Sequence, residues 1–184
     1  MSIAFVFFKR LELKGVWSFI ALVLVIVLCD QISSSIFKDL FERLRPSHEP
    51  TLEGIVNLVN GKRGGQFGFV SSHAANSFGL TMFTVLLFRK WYYTLTVFIW
   101  AIVNSYSRIY MGLHYPGDIL GGLIVGIMVA GLVYWIYKRF SFRYVYGGVR
   151  CKILFGTEVL IPVAILFTSV FIIYFSSRLL LKMM

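Results

Sequence analysis

The chain has 184 residues, 58% of them hydrophobic and only 14% charged, with a mean hydropathy of +0.80. A soluble domain averages roughly 45–50% apolar and about 25% charged residues, so the composition excludes an ordinary soluble protein and indicates one integral membrane domain over residues 1–184. The net charge of +10 would suit nucleic acid in a soluble protein; here the basic residues flank apolar spans, so the partner they indicate is anionic lipid and not nucleic acid.

The N-terminus, Met1 to Arg10, is apolar first and basic afterwards. A cleaved signal peptide has the reverse order, so this stretch reads as the end of a short or truncated membrane segment. A membrane-spanning helix needs about 20 apolar residues. Four segments suit that length: Val16–Phe37, His73–Phe88, Trp91–Tyr106 with a possible continuation beyond it, and Ile119–Tyr137. A fifth, Ile153–Tyr174, is long but interrupted by Gly156, Glu158 and Pro162. The expected fold is an all-α, polytopic transmembrane helical bundle of about five spans, its N-terminal helix short or missing. Gly122 and Gly126 form a GxxxG pair that permits close helix approach. Cys29 and Cys151 fall at opposite faces, so no disulfide is expected and no CxxC pair is present.

Basic residues in the connections orient the bundle. Ten lie on the face carrying Lys9, Arg10, Lys14, Arg89, Lys90 and the stretch from Lys138 to Lys152, and eight on the other. On the second face Lys38, Arg45 and Arg108 have a chemical use, so the first face is taken as cytoplasmic. Trp17, Trp91, Trp135 and Tyr137 fall at its span ends, with Tyr106, Tyr110 and Tyr115 at the opposite ends, the level that amphipathic rings favour. The loop from about Lys38 to Ser72 contains Pro46, Pro50 and five glycines. Its backbone would be unsatisfied in lipid, so it must sit over the bundle and line or lid a site.

Three polar clusters fall on that second face. In the first, Lys38 and Arg45 are seven residues apart, about two helical turns, which puts an ammonium and a guanidinium on one helix face until Pro46 ends it. Such a pair suits a phosphate dianion, although interfacial basic residues also serve as plain anchors. In the second, Ser71, Ser72 and His73 open an apolar helix. Either serine could cap it, the free N–H groups there suit an anion, and His73 could donate a proton. The third runs from Ser107 to Asp118. Arg108 adds a second guanidinium, and Pro116-Gly117 reads as a turn between His114 and Asp118. Asp118 then caps the next span, holds one imidazole nitrogen of His114 so that the other presents its lone pair, or does both.

Lys38 to Arg45-Pro46 fits K-x6-R-P, Ser107-Arg108 to His114 and Asp118 fits S-R-x5-H-x3-D, and Val70-Ser71-Ser72-His73 stands near P-S-G-H, with Val70 for Pro and Ser72 for Gly. In this order the motifs resemble the type 2 phosphatidic acid phosphatase (PAP2) superfamily, which includes bacterial acid phosphatases and vanadium haloperoxidases. The resemblance covers residues 38–118 closely.

The resemblance implies metal-independent hydrolysis of a phosphate ester or diphosphate, with no cofactor. His114 would attack phosphorus, Asp118 would orient it, and His73 would protonate the leaving group and then activate water. Lys38, Arg45, Ser71, Arg108 and the backbone N–H of Ser72 would hold the phosphoryl oxygens. The substrate would be a membrane lipid phosphate reached at the outer face of a bacterial cytoplasmic membrane: undecaprenyl diphosphate, phosphatidylglycerol phosphate, phosphatidic acid or lipid A. A non-enzymatic headgroup transporter or scaffold needs the cations but not the two histidines and Asp118. Phosphotransfer to another lipid would use the same intermediate, and a haloperoxidase would need vanadate. His48 and Glu49 read as solvated loop residues or substrate-tuning ones. Asp30 and Gln31 are expected to hydrogen-bond within the bundle, with Asp30 placed to face Lys38. Glu158 has no assigned role.

Overall fold

The computed structural model describes residues 13–140 except 57, 59, 60 and 62, with side chains from residue 16 onward. The expected N-terminal segment and the fifth span with Glu158 and Cys151 lie outside the described residues. Five α-helices are described: α1 (Leu13–Gln31), a short α2 (Lys38–Phe41), α3 (Ser72–Phe88), α4 (Trp91–Tyr110) and α5 (Pro116–Phe140). A π-helical stretch, Ile32–Phe37, joins α1 to α2 without a break. Among the described residues, two helices are long and apolar enough to cross a membrane, Val16–Phe41 and Pro116–Phe140. From Val16 the axis runs roughly 33 Å before Lys38 at 1.5 Å per residue, enough to clear about 30 Å of hydrocarbon.

The bundle is sealed by small residues. A Cβ on Gly126 would stand 2.5 Å from the Ala75 carbonyl oxygen and 2.8 Å from the Gly79 nitrogen. One on Gly122 would stand 2.7 Å from the Ser71 carbonyl oxygen, and one on Gly79 would stand 2.9 Å from Cys29 Sγ. The close approach expected of the GxxxG pair is thus made by α5 against α3, with α1 packed on the other side of Gly79. Val25, Cys29, Phe83, Val133 and Tyr137 fill the shared core. Polar pairs join the helices across it: Ser18 Oγ and Tyr137 OH share a hydrogen bond at 2.7 Å, and Asn104 Nδ2 donates to Ser77 Oγ at 2.6 Å. The opposite faces expose Ile20, Val23, Leu24 and Val27 on α1, Ile99 and Val103 on α4, and Leu120, Ile124 and Met128 on α5. An apolar outer surface over a small-residue interior is what lipid as solvent requires.

Packing of Trp17 on α1 against Phe140 on α5, ring centroids 5.1 Å apart, gathers one end of the bundle. Arg89, Lys90, Lys138 and Arg139 follow the helices to that end. At the other end the C-termini of α2 and α4 meet the N-termini of α3 and α5.

Two local expectations are corrected. Lys38 and Arg45 do not share a helix. Helix α2 stops at Phe41 because Glu42 turns left-handed (φ 43°), its N–H donating to the Lys38 carbonyl. The chain then pairs with the far end of its own loop: Arg45 N–H donates to Gln66 O at 3.0 Å, and Gly68 N–H to Arg43 O at 2.8 Å. These bonds satisfy the backbone in an extended form that a second helical turn would forgo. Secondly, Pro116-Gly117 is not the turn between His114 and Asp118. The turn is Met111–Tyr115, with Gly112 at φ 66°. Pro116 is the first residue of α5, where its missing N–H costs nothing.

Candidate active site

The four helix ends enclose a cavity of about 200 Å³. Its wall includes Lys38, Arg45, Ser72, His73, Arg108 and His114, together with Asp30, Ser34 and Leu113. Six of the eight residues singled out in the sequence thus face one space, although they come from segments up to 76 residues apart.

Each is placed by its local structure. Lys38 leaves the end of the π-helical stretch, and its Nζ donates to Ser72 Oγ at 3.2 Å. Ser72 Oγ also shares a hydrogen bond with Ser34 Oγ at 3.2 Å. Arg45 is fixed by Nε donating to the Phe67 carbonyl at 3.1 Å; Gly64 and Gly68 leave room for its side chain, since a Cβ there would stand 3.0 and 3.1 Å from it. Burial lowers the Arg45 pKa, and Asp118 opposes that shift. Arg108 closes the last turn of α4, with a buried Nε that has no partner among the described residues. His73, on the first turn of α3, is exposed to the cavity.

His114 is 4% exposed, and Asp118 is fully buried. The His114 Nδ1 lies 3.4 Å from Asp118 Oδ2, a long contact without hydrogen-bond alignment. The contact leaves Nε2 as the ring nitrogen turned away from the carboxylate. Burial lowers the His114 pKa; Asp118 opposes this, and Arg45 and Lys38 add to it. The neutral ring, with a lone pair to give, is therefore the favoured form. Asp118 also braces its own helix: as the third residue of α5 it accepts from the Tyr115 N–H at 2.9 Å, half of a capping box and not the N-cap itself.

Ser71 does not line the cavity. It is the N-cap of α3, accepting from the Ala74 N–H at 3.4 Å, and its own N–H donates to the Asp118 carbonyl at 3.0 Å. That bond ties the helix bearing His73 to the helix bearing Asp118. His48 sits on a 3₁₀ turn (Pro46–His48), and neither it nor Glu49 lines the cavity. Asp30 does line it, on the wall that also carries Lys38, as its spacing suggested.

Two contributors were not foreseen. Ser34 lies four residues from both Asp30 and Lys38, a helical spacing that could have flagged it. Arg43 donates to Asp118 Oδ1 at 3.2 Å, and nothing in the sequence pairs residues 75 apart. Charge is distributed with a pattern. Among the described residues, the carboxylates that form ion pairs with arginine do so away from the cavity wall, Asp118 with Arg43 and Glu53 with Arg63. Lys38, Arg45 and Arg108 form none. Three cations against one carboxylate, Asp30, leave a wall suited to a doubly charged anion.

A model of the PAP2 superfamily matches residues 17–142. The lipid A 4'-phosphatase of Bacteroides thetaiotaomicron is 43% identical over 144 residues, which cover 77% of this chain and 64% of that protein. The lipid A 4'-phosphatase of Porphyromonas gingivalis is 42% identical over 156 residues, 82% of this chain and 64% of that protein. The undecaprenyl-diphosphatase BcrC of Bacillus subtilis is 32% identical over 73 residues, 40% of this chain and 35% of that protein. The matched part of the chain thus spans a little under two thirds of the two lipid A phosphatases. No solved structure matches it.

Proposed function

The chain belongs to the PAP2 superfamily, and on that premise we propose that it is a membrane phosphatase that removes phosphate from a lipid through a phosphohistidine on His114. The observation that carries the reading is the convergence of Lys38, Arg45, Ser72, His73, Arg108 and His114 on one cavity. Binding alone would call for the cations; a buried neutral histidine backed by a carboxylate, facing an exposed histidine, adds a nucleophile and an acid.

In the first step His114 Nε2 donates its lone pair to phosphorus, and the bond from phosphorus to the leaving oxygen breaks. His73 gives its proton to that oxygen, so a neutral alcohol departs. Phosphorylation puts positive charge on the His114 ring, and the contact with Asp118 tightens to hold it. Lys38, Arg45, Arg108 and the first free N–H groups of α3 take the phosphoryl oxygens, whose charge they stabilise most as it redistributes. In the second step His73 accepts a proton from water, the water oxygen bonds to phosphorus, and the bond to Nε2 breaks. Free phosphate and neutral His114 result. Ser71 serves this site through the helix it caps.

The cavity is smaller than the roughly 300–1,000 Å³ of drug-sized ligand pockets, so it encloses a phosphate and little more, and the lipid tails lie outside it. A sugar-linked phosphate monoester such as that of lipid A is the favoured substrate class, because the relatives named for it match more of the chain at higher identity than BcrC does. The site would face the outer side of a bacterial cytoplasmic membrane, since Arg89, Lys90, Lys138 and Arg139 collect at the opposite end. The test is phosphate release in detergent from lipid A, undecaprenyl diphosphate, phosphatidic acid and phosphatidylglycerol phosphate, with EDTA present. The expected result is turnover that survives chelation and is lost in His114→Ala. Headgroup binding without cleavage would replace the enzyme with a transporter or scaffold, and loss of turnover with EDTA would end the metal-independent mechanism.

A further inference from the structure

We propose that Arg43 is a positioning residue: it fixes the Asp118 carboxylate behind His114 and draws off part of its charge, so that the imidazole faces a half-neutralised partner. The proposal rests on the phosphohistidine reading. Arg43 occupies one of the six unspecified positions of the K-x6-R-P pattern and does not line the cavity, so it is not assigned as a phosphate ligand.

Three contacts place it. Its Nη1 donates to Asp118 Oδ1 at 3.2 Å. Its guanidinium lies over the Tyr115 ring, 4.3 Å from the centroid. Its carbonyl accepts from the Gly68 N–H at 2.8 Å, which pins its backbone. The other carboxylate oxygen, Oδ2, receives the Tyr115 N–H and faces His114 Nδ1. Asp118 is thus gripped through both oxygens and cannot rotate away from the ring. Tyr115 serves the same end twice, by its backbone on one oxygen and by its ring under the arginine.

The chemistry explains why such a residue is useful. A buried carboxylate carrying a full charge beside His114 would favour the imidazolium, which has no lone pair to attack with. A carboxylate shared with Arg43 still orients the ring and still meets the positive charge that phosphorylation creates. The other charged or titratable groups facing His114 are Arg45, Lys38 and His73, and Arg45 also faces Asp118. Among the described arginines and lysines, Arg43 is the one bonded to the carboxylate itself.

The chain has only three histidines, so ¹³C-labelled histidine in the full-length protein in detergent gives a separable NMR titration for each. Arg43→Met is expected to raise the His114 midpoint by about one pH unit and leave His48 unmoved. The acid limb of kcat/KM should move the same way, with kcat down about ten-fold near neutral pH and KM within about two-fold. Arg43→Lys should restore most of the midpoint, because it keeps the charge, but not kcat, because lysine lacks the planar fork and stacking face. If Arg43→Met does not fold, Tyr115→Leu removes the platform with Arg43 in place and should shift the midpoint upward by less. An unmoved His114 midpoint in the folded variant overturns the proposal, as does an effect confined to KM. The titration needs no substrate, so an inactive wild-type protein, which would sink the phosphatase reading, is a separate result from an unmoved midpoint.

Discussion

Gly122→Ala tests whether the α3–α5 contact sets the relative position of the two histidines. The added Cβ would meet the Ser71 carbonyl oxygen at 2.7 Å, Ala74 Cβ at 2.8 Å and Ala75 N at 3.0 Å. Ordinary contact begins near 3.4 Å, so the helices must part by about 0.7 Å. None of the three atoms can rotate aside. All belong to the opening of α3, the turn that carries Ser72 and His73, and Ser71 is bonded through its N–H to the Asp118 carbonyl. The displacement therefore reaches the site. Overpacking of this kind costs about 1–3 kcal/mol, and a misplacement near 1 Å can cost about 100-fold in rate. Gly131 lies on the same helix and meets nothing within 4 Å. Alanine there removes a glycine penalty of about 0.5–1 kcal/mol. Both variants are to be compared by thermal unfolding and initial rate in one detergent. The expected outcome is a lower melting temperature and a kcat reduced about 10- to 100-fold for Gly122→Ala, with neither loss for Gly131→Ala. Equal behaviour of the two variants would refute the reasoning.

Three further outcomes are expected. Because the proposed attack needs neutral His114 and burial lowers its pKa below the ordinary 6.5, activity should persist through that pH and fall only below it; an acid limb of kcat/KM that sets in above 6.5 contradicts this. Arg45→Lys keeps the charge but loses the Nε bond to Phe67 and the planar fork, so kcat/KM should fall about 10- to 100-fold in steady-state assays. Ser71→Ala should lower stability by about 0.5–2 kcal/mol through the lost cap with KM unchanged, whereas Ser72→Ala should raise KM because it frees Lys38 Nζ; unfolding curves and KM values for the pair decide whether the two adjacent serines have the separate roles assigned to them.

What the sequence made legible was composition and spacing along helices. The four long helices, the GxxxG contact and the convergence of Lys38, Ser72, His73, Arg108 and His114 at one end follow from apolar runs and from alternation of direction. Arg45 was also placed at the site, but for the wrong reason. A seven-residue spacing says helix only if nothing competes, and here the backbone of residues 43–45 found partners at residues 66–68 across a loop whose pairing leaves no periodic signal. Asp118 and Pro116 were misread by one turn for a related cause: proline followed by glycine marks a turn in isolation, yet proline is equally at home as the first residue of a helix, and only the bond from Tyr115 N–H to Asp118 separates the two. Arg43 was invisible because its role depends on a loop folding back over α5. Ser71 and Ser72 could not be told apart, since capping and facing the cavity are decided by which residue has extended dihedrals.

The distribution of counter-charge carries the argument one step further. A half-buried lysine and two arginines held close together raise one another's energy, and proteins usually relieve this with carboxylates. Here the holding is done by neutral groups: Ser72 Oγ for Lys38 and the Phe67 carbonyl for Arg45. Asp118, the nearest buried carboxylate, is committed to Arg43 and the Tyr115 N–H. Lys38 and Arg45 are thus oriented by their surroundings without being neutralised by them, and Asp30 offsets only one of the wall's three positive charges. A phosphate monoester, whose second pKa is near 6, carries about two negative charges at pH 7 and completes the balance. In the proposed reaction the binding energy so released acts where the charge moves during attack, because donors fixed in advance need not reorganise as the bond to phosphorus forms. The same preorganisation makes inorganic phosphate, the product of that proposed reaction, a natural ligand of the site. It should inhibit competitively against substrate, more strongly above pH 7 than at pH 6 as the dianion fraction rises for as long as the three cations keep their charge.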